Sequence, residues 1–369
     1  MTEIHKNELK VEEDRPLATL TSMRVGGRAQ FYAVIETTEQ LGQALNWARS
    51  RSLPMWVLSG GSNLIVADEG LSGLVVDLRL RGIAYDVGRD VVRVTASAGE
   101  DWDSLVSQTV ARGYSGLECL SGIPGRVGAT PIQNVGAYGQ DVSQTITHVD
   151  VFDRESGDVV QVEAGDCDFG YRSSRFKGPQ SRRYVIVSVC FGLKLTLPCV
   201  PSHLELRKQL GVQTSGTPTV NDIRQAVLHL RRSKSMLLDP SDPCSRGCGS
   251  FFVNPVVSSD VARGILDSFA CESVPLYTQS FGCAKIAAAW LIEKSGFQKG
   301  HRHGTVGLSE RHTLAIVAYG DAKARDVVAF AKRIQDAVNQ KFGVVLVPEP
   351  VFWGFKHMQL GLPLIDPSN

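Results

Sequence analysis

The order of apolar and polar positions divides the chain into short strands, amphipathic helices and long punctuated loops. Residues 30–35 read as a strand, and Thr37-x-x-Gln40 behind them has the form of a capping box. Leu41, Ala44, Leu45 and Ala48 then recur at helical spacing, predicting an amphipathic helix over 38–51. The apolar run 55–58 returns as a strand, which completes a β-α-β unit. Strands follow at 73–78 and 91–98, with a helix at 101–112. Segments 147–152 and 159–162, joined by Arg-Glu-Ser-Gly-Asp, predict a hairpin, and 184–195 reads as one continuous apolar strand. Pro, Gly and Ser punctuate 196–219, an excursion or domain boundary. Asn221 is expected to cap a helix with Ile223, Val227 and Leu230 on one face. Beyond it the pattern predicts helices at 259–269 and 284–295 and a strand at 313–318. A long helix at 322–341 has Val327, Phe330, Ala331, Ile334 and Val338 as its buried stripe, and a strand at 344–347 ends at Pro348-Glu349-Pro350. No internal repeat or low-complexity tract appears. The fold class is α+β, with two β-rich mixed lobes and a third α/β lobe.

Two stretches escape this periodicity. Ser121 to Gly139 holds five glycines, two prolines and a single charge, Arg126. No ordinary helix or strand tolerates that density of breakers. A flexible linker would favour Ser, Glu and Lys over Ile123, Val127, Ile132, Val135 and Tyr138. The stretch therefore reads as a rigid loop whose exposed amides approach a large, flat ligand with a polar end. Upstream, Ser59-Gly60-Gly61-Ser62-Asn63 follows a strand and presents amides and a hydroxyl suited to a pyrophosphate. It lacks the Gly-Lys-Ser/Thr of a Walker loop and the three spaced glycines of a Rossmann fingerprint. Alone each loop would be an ordinary turn; together they point to a nucleotide cofactor.

Length and charge narrow the class. With 369 residues the chain has room for two or three domains, and its net charge of +1 gives no reason to expect nucleic acid or an anionic membrane as partner. The N-terminus lacks a signal-peptide core, and no apolar run reaches bilayer length. A soluble, cytoplasmic protein is expected, acting on small molecules as a monomer. Eight cysteines then read as free thiols. Cys244-x-x-x-Cys248 and His301-x-His303 lack the partners of a zinc site, so no metal is expected.

Three places carry candidate chemistry. In Gly249-Ser250-Phe251-Phe252 a hydroxyl sits beside glycine and two aromatic rings. Without a base in reach Ser250 is no nucleophile, although it could protonate a strongly basic carbanion. Tyr171 to Lys177 holds three cations and is expected to be helical, a solvated face unless Arg172 turns inward and offers its planar fork to a carboxylate. Pro348 and Pro350 fix the backbone on both sides of Glu349, an arrangement suited to an aimed acid or to a salt-bridged loop.

Seven motifs occur in one order along nearly the whole chain. They are Ser-Gly-Gly-Ser-Asn at 59–63, Gly-Ile-Pro-Gly at 122–125, Pro-Ile-Gln-Asn-Val-Gly-Ala-Tyr-Gly at 131–139 and Tyr-Arg-x-Ser-x-Phe-Lys at 171–177. Gly-Ser-Phe-Phe-x-Asn-Pro at 249–255, Ala-Trp-Leu-Ile-Glu at 289–293 and Pro-Glu-Pro at 348–350 complete the set. In this the sequence closely resembles the UDP-N-acetylenolpyruvoylglucosamine reductase family, the MurB flavoenzymes of bacterial cell-wall synthesis, in the form with the longer third domain. The resemblance implies a two-lobed FAD-binding fold of the vanillyl-alcohol-oxidase/PCMH type plus a third substrate-binding domain. Residues 1–82 with 343–369 would form the first lobe, 83–237 the second and 238–342 the third domain. It implies non-covalent FAD held by Gly60, Gly61, Ser62, Asn63, Gly122, Ile123, Pro124, Gly128, Ala129, Pro131, Gln133, Asn134, Gly136, Ala137, Tyr138 and Gly139. NADPH would reduce the flavin, which in turn would reduce the enolpyruvyl nucleotide sugar. Arg172 and Glu349 would stabilise the enolate, Ser250 would be the general acid, and Tyr171, Lys234, Asn254, Tyr277 and Lys285 would line the substrate pocket.

The chain departs from the family pattern at three places. A short insertion separates Lys234 from Asp239-Pro240, His203 stands near the place of a substrate-clamping tyrosine, and Ala289 replaces a glycine. An alcohol or sugar oxidase of the same fold would explain both loops but neither Gly-Ser-Phe-Phe nor Pro-Glu-Pro. A non-catalytic nucleotide-sugar sensor would have no use for the acid.

Overall fold

The computed structural model describes residues 8–178, 181–196, 198, 201–211, 217–278 and 282–355. The remainder of the expected C-terminal contribution to the first lobe, 356–369, and parts of the 196–219 excursion lie outside the described residues.

A four-stranded sheet opens the chain, in the order Val11–Pro16, Arg28–Ile35, Leu71–Leu78, Met55–Leu58. Its first pair is antiparallel and the others are parallel, as the β-α-β connection through helix Thr38–Arg49 requires. Thr37 caps that helix by accepting the Gln40 N–H, while the Gln40 side chain accepts the Glu36 N–H. Leu41, Ala44, Leu45 and Ala48 are buried, as the periodicity predicts. The second sheet is antiparallel, in the order Val159–Glu163, Ile146–Asp153, Tyr184–Lys194, Val91–Ser97, Ile83–Val87. Helix Trp102–Ala111 packs on it through Trp102, Leu105 and Val106.

Two three-stranded sheets and the helices Ser259–Ser268, Ala288–Lys294 and Ala324–Phe342 make up the third region. The buried stripe of the long helix is the one read from its sequence. Its core also takes in Met23, Val25 and Ile65 from the start of the chain. After that helix the chain returns to the first region, where Val351–Trp353 pairs in parallel with Leu64–Val66.

Several local expectations are corrected. Residues 171–177 form turns and no helix: Gly170 and Ser173 exchange backbone hydrogen bonds around Tyr171 and Arg172, and Arg172 sits at φ +54°. The stretch 284–295 divides into strand Cys283–Ile286 and helix Ala288–Lys294. Ala284 and Ile286 are buried with Lys285 between them, a period of two that the alanine-rich run disguised. Thr219, not Asn221, caps helix Val220–Ser233, through a reciprocal box with Asp222. Only Ile316–Ala318 of 313–318 pairs as a strand, and the long helix begins at Ala324. Residues 344–347 join no sheet, and strand pairing falls instead to Val351–Trp353.

Candidate active site

The two glycine-rich loops pack on each other. A side chain on Gly60 would meet the Gly125 Cα at 2.6 Å, and Ser62 Oγ donates to the Pro124 carbonyl at 2.9 Å. Gly61, at φ +61°, would drive a Cβ to 2.1 Å from the Leu20 carbonyl oxygen. These glycines are thus demanded by contacts between protein backbones, where the sequence suggested the approach of a ligand. The long loop is also more structured than its composition suggests, with a 3₁₀ turn at Val127–Ala129 and a two-residue strand pair, Gly136–Ala137 with Gln140–Asp141.

Together the loops wall a cavity of about 720 Å³, within the usual size of a cofactor site. Gly60, Gly61, Ser62, Asn63, Ile123, Pro124, Gly128, Ala129, Gln133, Gly136, Ala137 and Tyr138 border it. Gly122, Pro131, Asn134 and Gly139 do not; they stand behind the wall. The Gly122 N–H donates to Asp103 and its carbonyl accepts from Arg231, while the Asn134 amide donates to the carbonyl of Gly170 at 3.1 Å. Asn134 therefore ties the cofactor loop to the turn that carries Arg172. Ser59 Oγ, at the cavity edge, is buried with no partner among the described residues. A flavin dinucleotide fits this setting: a mostly apolar cavity, glycine-rich turns at its wall and a buried hydroxyl without a partner among the described residues.

Arg172, Glu349 and Ser250 all border the cavity. Arg172 Nε donates to Glu349 Oε1 at 3.0 Å, and the two side chains retain only 23% and 14% of their exposure. The same guanidinium donates to the Gly136 carbonyl at 2.8 Å. Gln133 Nε2 donates to Glu349 Oε1 at 3.3 Å and is itself held by Asn63 Nδ2, 3.1 Å from Gln133 Oε1. Burial pushes the Glu349 carboxyl upward from its ordinary range, and the cations Arg172 and Lys177 pull it back. The Lys177 ammonium is pushed down by burial and by Arg172, against the pull of Glu349.

Extended backbone brings Ser250 and Glu349 together. The Glu349 N–H donates to the Phe251 carbonyl at 2.8 Å, and Phe252 bridges to Pro348. Phe251 and Phe252 are fully buried with their rings edge to face at 5.1 Å, so the motif anchors a core as well as presenting a hydroxyl. Gly249, at φ +69°, makes the turn into it.

The expected substrate residues divide. Lys234 borders the cavity and is paired with Glu205. Tyr171, Asn254, Tyr277 and Lys285 form a separate group outside it. The Lys285 ammonium lies 4.6 Å from the Tyr171 ring centre and 6.0 Å from that of Tyr277. Asn254 Oδ1 accepts the Ala288 N–H at 2.9 Å, capping the helix that follows. His203 lies edge-on to Tyr138 at 5.1 Å, with Nδ1 buried and unpartnered among the described residues. Sequence reasoning missed Lys177, Arg154 and His312 at the cavity wall. Only Lys177 carried a signal, as the last residue of the Tyr171 motif.

The FAD binding domain family matches residues 29–163, and that match, with the cavity its glycine-rich loops border, defines a flavin-dependent oxidoreductase. The family of the UDP-N-acetylenolpyruvoylglucosamine reductase C-terminal domain matches residues 239–353. UDP-N-acetylenolpyruvoylglucosamine reductase of Thermobifida fusca is 44% identical over 348 residues, 92% of this chain and 97% of its own length. The enzyme of the same name from Saccharopolyspora erythraea is 44% identical over 344 residues, 91% and 93% of the two chains. The crystal structure of the Thermus caldophilus enzyme superposes with a TM-score of 0.65 at 25% identity, covering 94% of this chain and all of that one. The chain belongs to the UDP-N-acetylenolpyruvoylglucosamine reductase family.

Proposed function

We propose that this chain reduces the enolpyruvyl ether of UDP-N-acetylglucosamine to UDP-N-acetylmuramate in bacterial peptidoglycan synthesis, with Arg172, Glu349 and Ser250 as its chemical groups. One observation carries the assignment: a buried Arg172–Glu349 pair and the Ser250 hydroxyl border one flavin-sized cavity. FAD, held by the turn at 60–63 and the loop at 123–138, would supply hydride transfer from NADPH to the substrate. The substrate's terminal methylene carbon gains the hydride, its double bond opens, and the electron pair passes to the carbon beside the carboxylate as an enolate. A proton at that carbon completes the lactyl ether. Both electrons come from NADPH, which leaves as NADP⁺.

Each residue has a part in that sequence. Arg172 is a fixed cation in a partly dry site, where stabilisation of developing charge is strongest. Its backbone carries it on a tight turn, and Gly136 and Glu349 hold the guanidinium plane. Glu349 orients that fork, and Gln133 orients Glu349. Ser250, whose hydroxyl engages none of the described residues, is free to give its proton to the enolate carbon. Among the described residues no helix is long and apolar enough to cross a membrane. A cytoplasmic monomer, with residues 1–82 and 343–369, 83–237 and 238–342 as its three parts, is the organisation we favour.

The test is optical. Purified protein should be yellow, NADPH should bleach it without air, and the enolpyruvyl nucleotide sugar should restore the colour. Bleaching by an alcohol or sugar in place of NADPH would make the chain an oxidase instead, and colourless protein that binds no flavin would make it a sensor.

A further inference from the structure

Arg172 is bonded through its backbone by a residue to which the reaction assigns no part. Lys177 is half-buried, borders the cavity and donates from Nζ to the backbone carbonyl of Arg172 at 3.1 Å. That carbonyl belongs to a residue in the left-handed region, φ +54°, which a side chain as large as arginine adopts at a cost. Four bonds brace the turn from other sides: the Asn134 amide to the Gly170 carbonyl, Ser174 Oγ to the Ile132 carbonyl at 2.7 Å, and the two of the Gly170–Ser173 exchange. Among the described residues the hydrogen bond from Lys177 is the one that reaches the Arg172 carbonyl. Its charge also acts on Glu349.

We propose that Lys177 is a positioning residue for the reduction: its ammonium holds Arg172 in the strained turn and supplies the second positive charge that keeps Glu349 an ionised acceptor for the Arg172 fork. The groups around Glu349 leave this task to Lys177. Among the described residues the charged or titratable side chains acting on it are Arg172, Lys177 and the Tyr171 phenol, all from one segment. The glycine-rich loops present neutral Gln133 and Asn63, and the serine segment presents neutral Ser250. A lone buried guanidinium–carboxylate pair recovers its desolvation cost poorly, and a second cation with a fixed anchor shifts that balance. Were Glu349 protonated, it would lose acceptor capacity toward Arg172, and the fork would be free to rotate away from the substrate carboxylate.

The inference rests on the reading of Glu349 and Arg172 given above, so the experiment separates the two. Reoxidation of the NADPH-reduced holoenzyme by the enolpyruvyl nucleotide sugar is followed anaerobically against pH, in wild type, Lys177→Met, Lys177→Arg and Glu349→Gln. Difference infrared spectra, with Glu349→Gln as reference, report the protonation of the Glu349 carboxyl directly. Removing the cation raises the proton affinity of Glu349, so Lys177→Met should move the acid limb of the rate profile, and the infrared titration, upward by about one unit. The plateau rate should fall by about tenfold or more. Lys177→Arg should restore the acid limb. Because a guanidinium stays charged where a buried ammonium does not, it should also carry the basic limb to higher pH. A Met variant with full flavin content and an unmoved carboxyl titration would overturn the proposal. If the Met variant does not fold, an unmoved basic limb in the Arg variant overturns it. A Glu349→Gln enzyme that keeps the wild-type acid limb would instead sink the reading of Glu349, leaving the infrared titration to decide on Lys177.

Discussion

At the scale of single residues the geometry turns two candidate roles into measurable differences. Arg172 makes three directed contacts, to Glu349, Gly136 and Asn134, which a point-like ammonium cannot reproduce together. Arg172→Lys keeps the charge and should lower the turnover number far more than substrate affinity, a split visible in steady-state kcat and KM. Weakened binding with unchanged turnover would reduce Arg172 to a docking charge. Ser250→Ala removes one oxygen from a residue whose neighbours Phe251 and Phe252 hold the fold. FAD content and bleaching by NADPH should persist, while rapid-mixing reoxidation by the enolpyruvyl sugar should slow about 10²–10⁴-fold, equivalent to about 3–5 kcal/mol of barrier. Equal slowing of both half-reactions would mean that Ser250 shapes the shared pocket. All three candidate residues stand out in the amino-acid sequence, because each has an unusual local context: a Pro-Glu-Pro, a lone hydroxyl before two phenylalanines, an arginine among cations. The Gln133–Asn63 relay does not, since it joins segments that no local pattern brings together, and Lys177 shows only as the last residue of the Tyr171 motif.

At the scale of elements, end signals were more legible than strand limits. The helix Thr38–Arg49 follows from its cap and stripe, whereas the strand Cys283–Ile286 was hidden inside Cys-Ala-Lys-Ile-Ala-Ala-Ala, whose alanines suit a helix equally well. Tertiary pairing with Val256–Ser258 and Leu276–Thr278 decided it. The helix at 220–233 shows how close two cap candidates can lie. Thr219 and Asn221 are both good capping residues, and Asp222 at the third helical position selects Thr219 by completing the box. Thr219→Ala should therefore destabilise the protein by about 1 kcal/mol in chemical denaturation, and Asn221→Ala by much less. The reverse order would restore Asn221 as the cap. That helix carries Arg224, bonded to Asp103 at 2.6 and 2.9 Å, and Arg231, bonded to the Gly122 carbonyl, so its loss would reach the flavin wall.

For the whole molecule, buried ionisable groups near the cavity set how the fold responds to acid. Burial, helped by Lys234 and Lys299, pushes the His312 imidazole down to about 4, with only Glu205 opposing. The unfolded chain takes up this proton as pH falls through about 6.5, and the folded chain does not until near 4. Stability held by the neutral ring above that window is therefore lost on acidification across it, by up to ~3 kcal/mol. His312→Asn keeps an acceptor for the Leu314 N–H that Nδ1 now accepts at 3.1 Å. It should flatten the stability profile between pH 6.5 and 4, as urea denaturation at stepped pH would record; an unchanged slope would place the acid sensitivity elsewhere. At this scale the sequence told least. Composition and pattern give the sheets, but the sharing of one core by Met23, Val25, Ile65 and the helix Ala324–Phe342 depends on packing between segments hundreds of residues apart.

The return of the chain to Leu64–Val66 has a consequence for the order of manufacture. The Glu349 N–H donates to the Phe251 carbonyl, its own carbonyl accepts from the Asn63 side-chain amide, and the strand beyond it lies along Leu64–Val66, all of them segments translated earlier. A nascent chain thus carries both glycine-rich loops, Arg172 and Ser250 before the acid that completes the site emerges. Until Glu349, Val351 and Trp353 dock, the cavity lacks part of its wall and the carboxylate that holds Arg172. On the proposed roles, catalytic competence therefore arrives with the pairing of Val351–Trp353, and a translation product interrupted before Glu349 should be chemically silent.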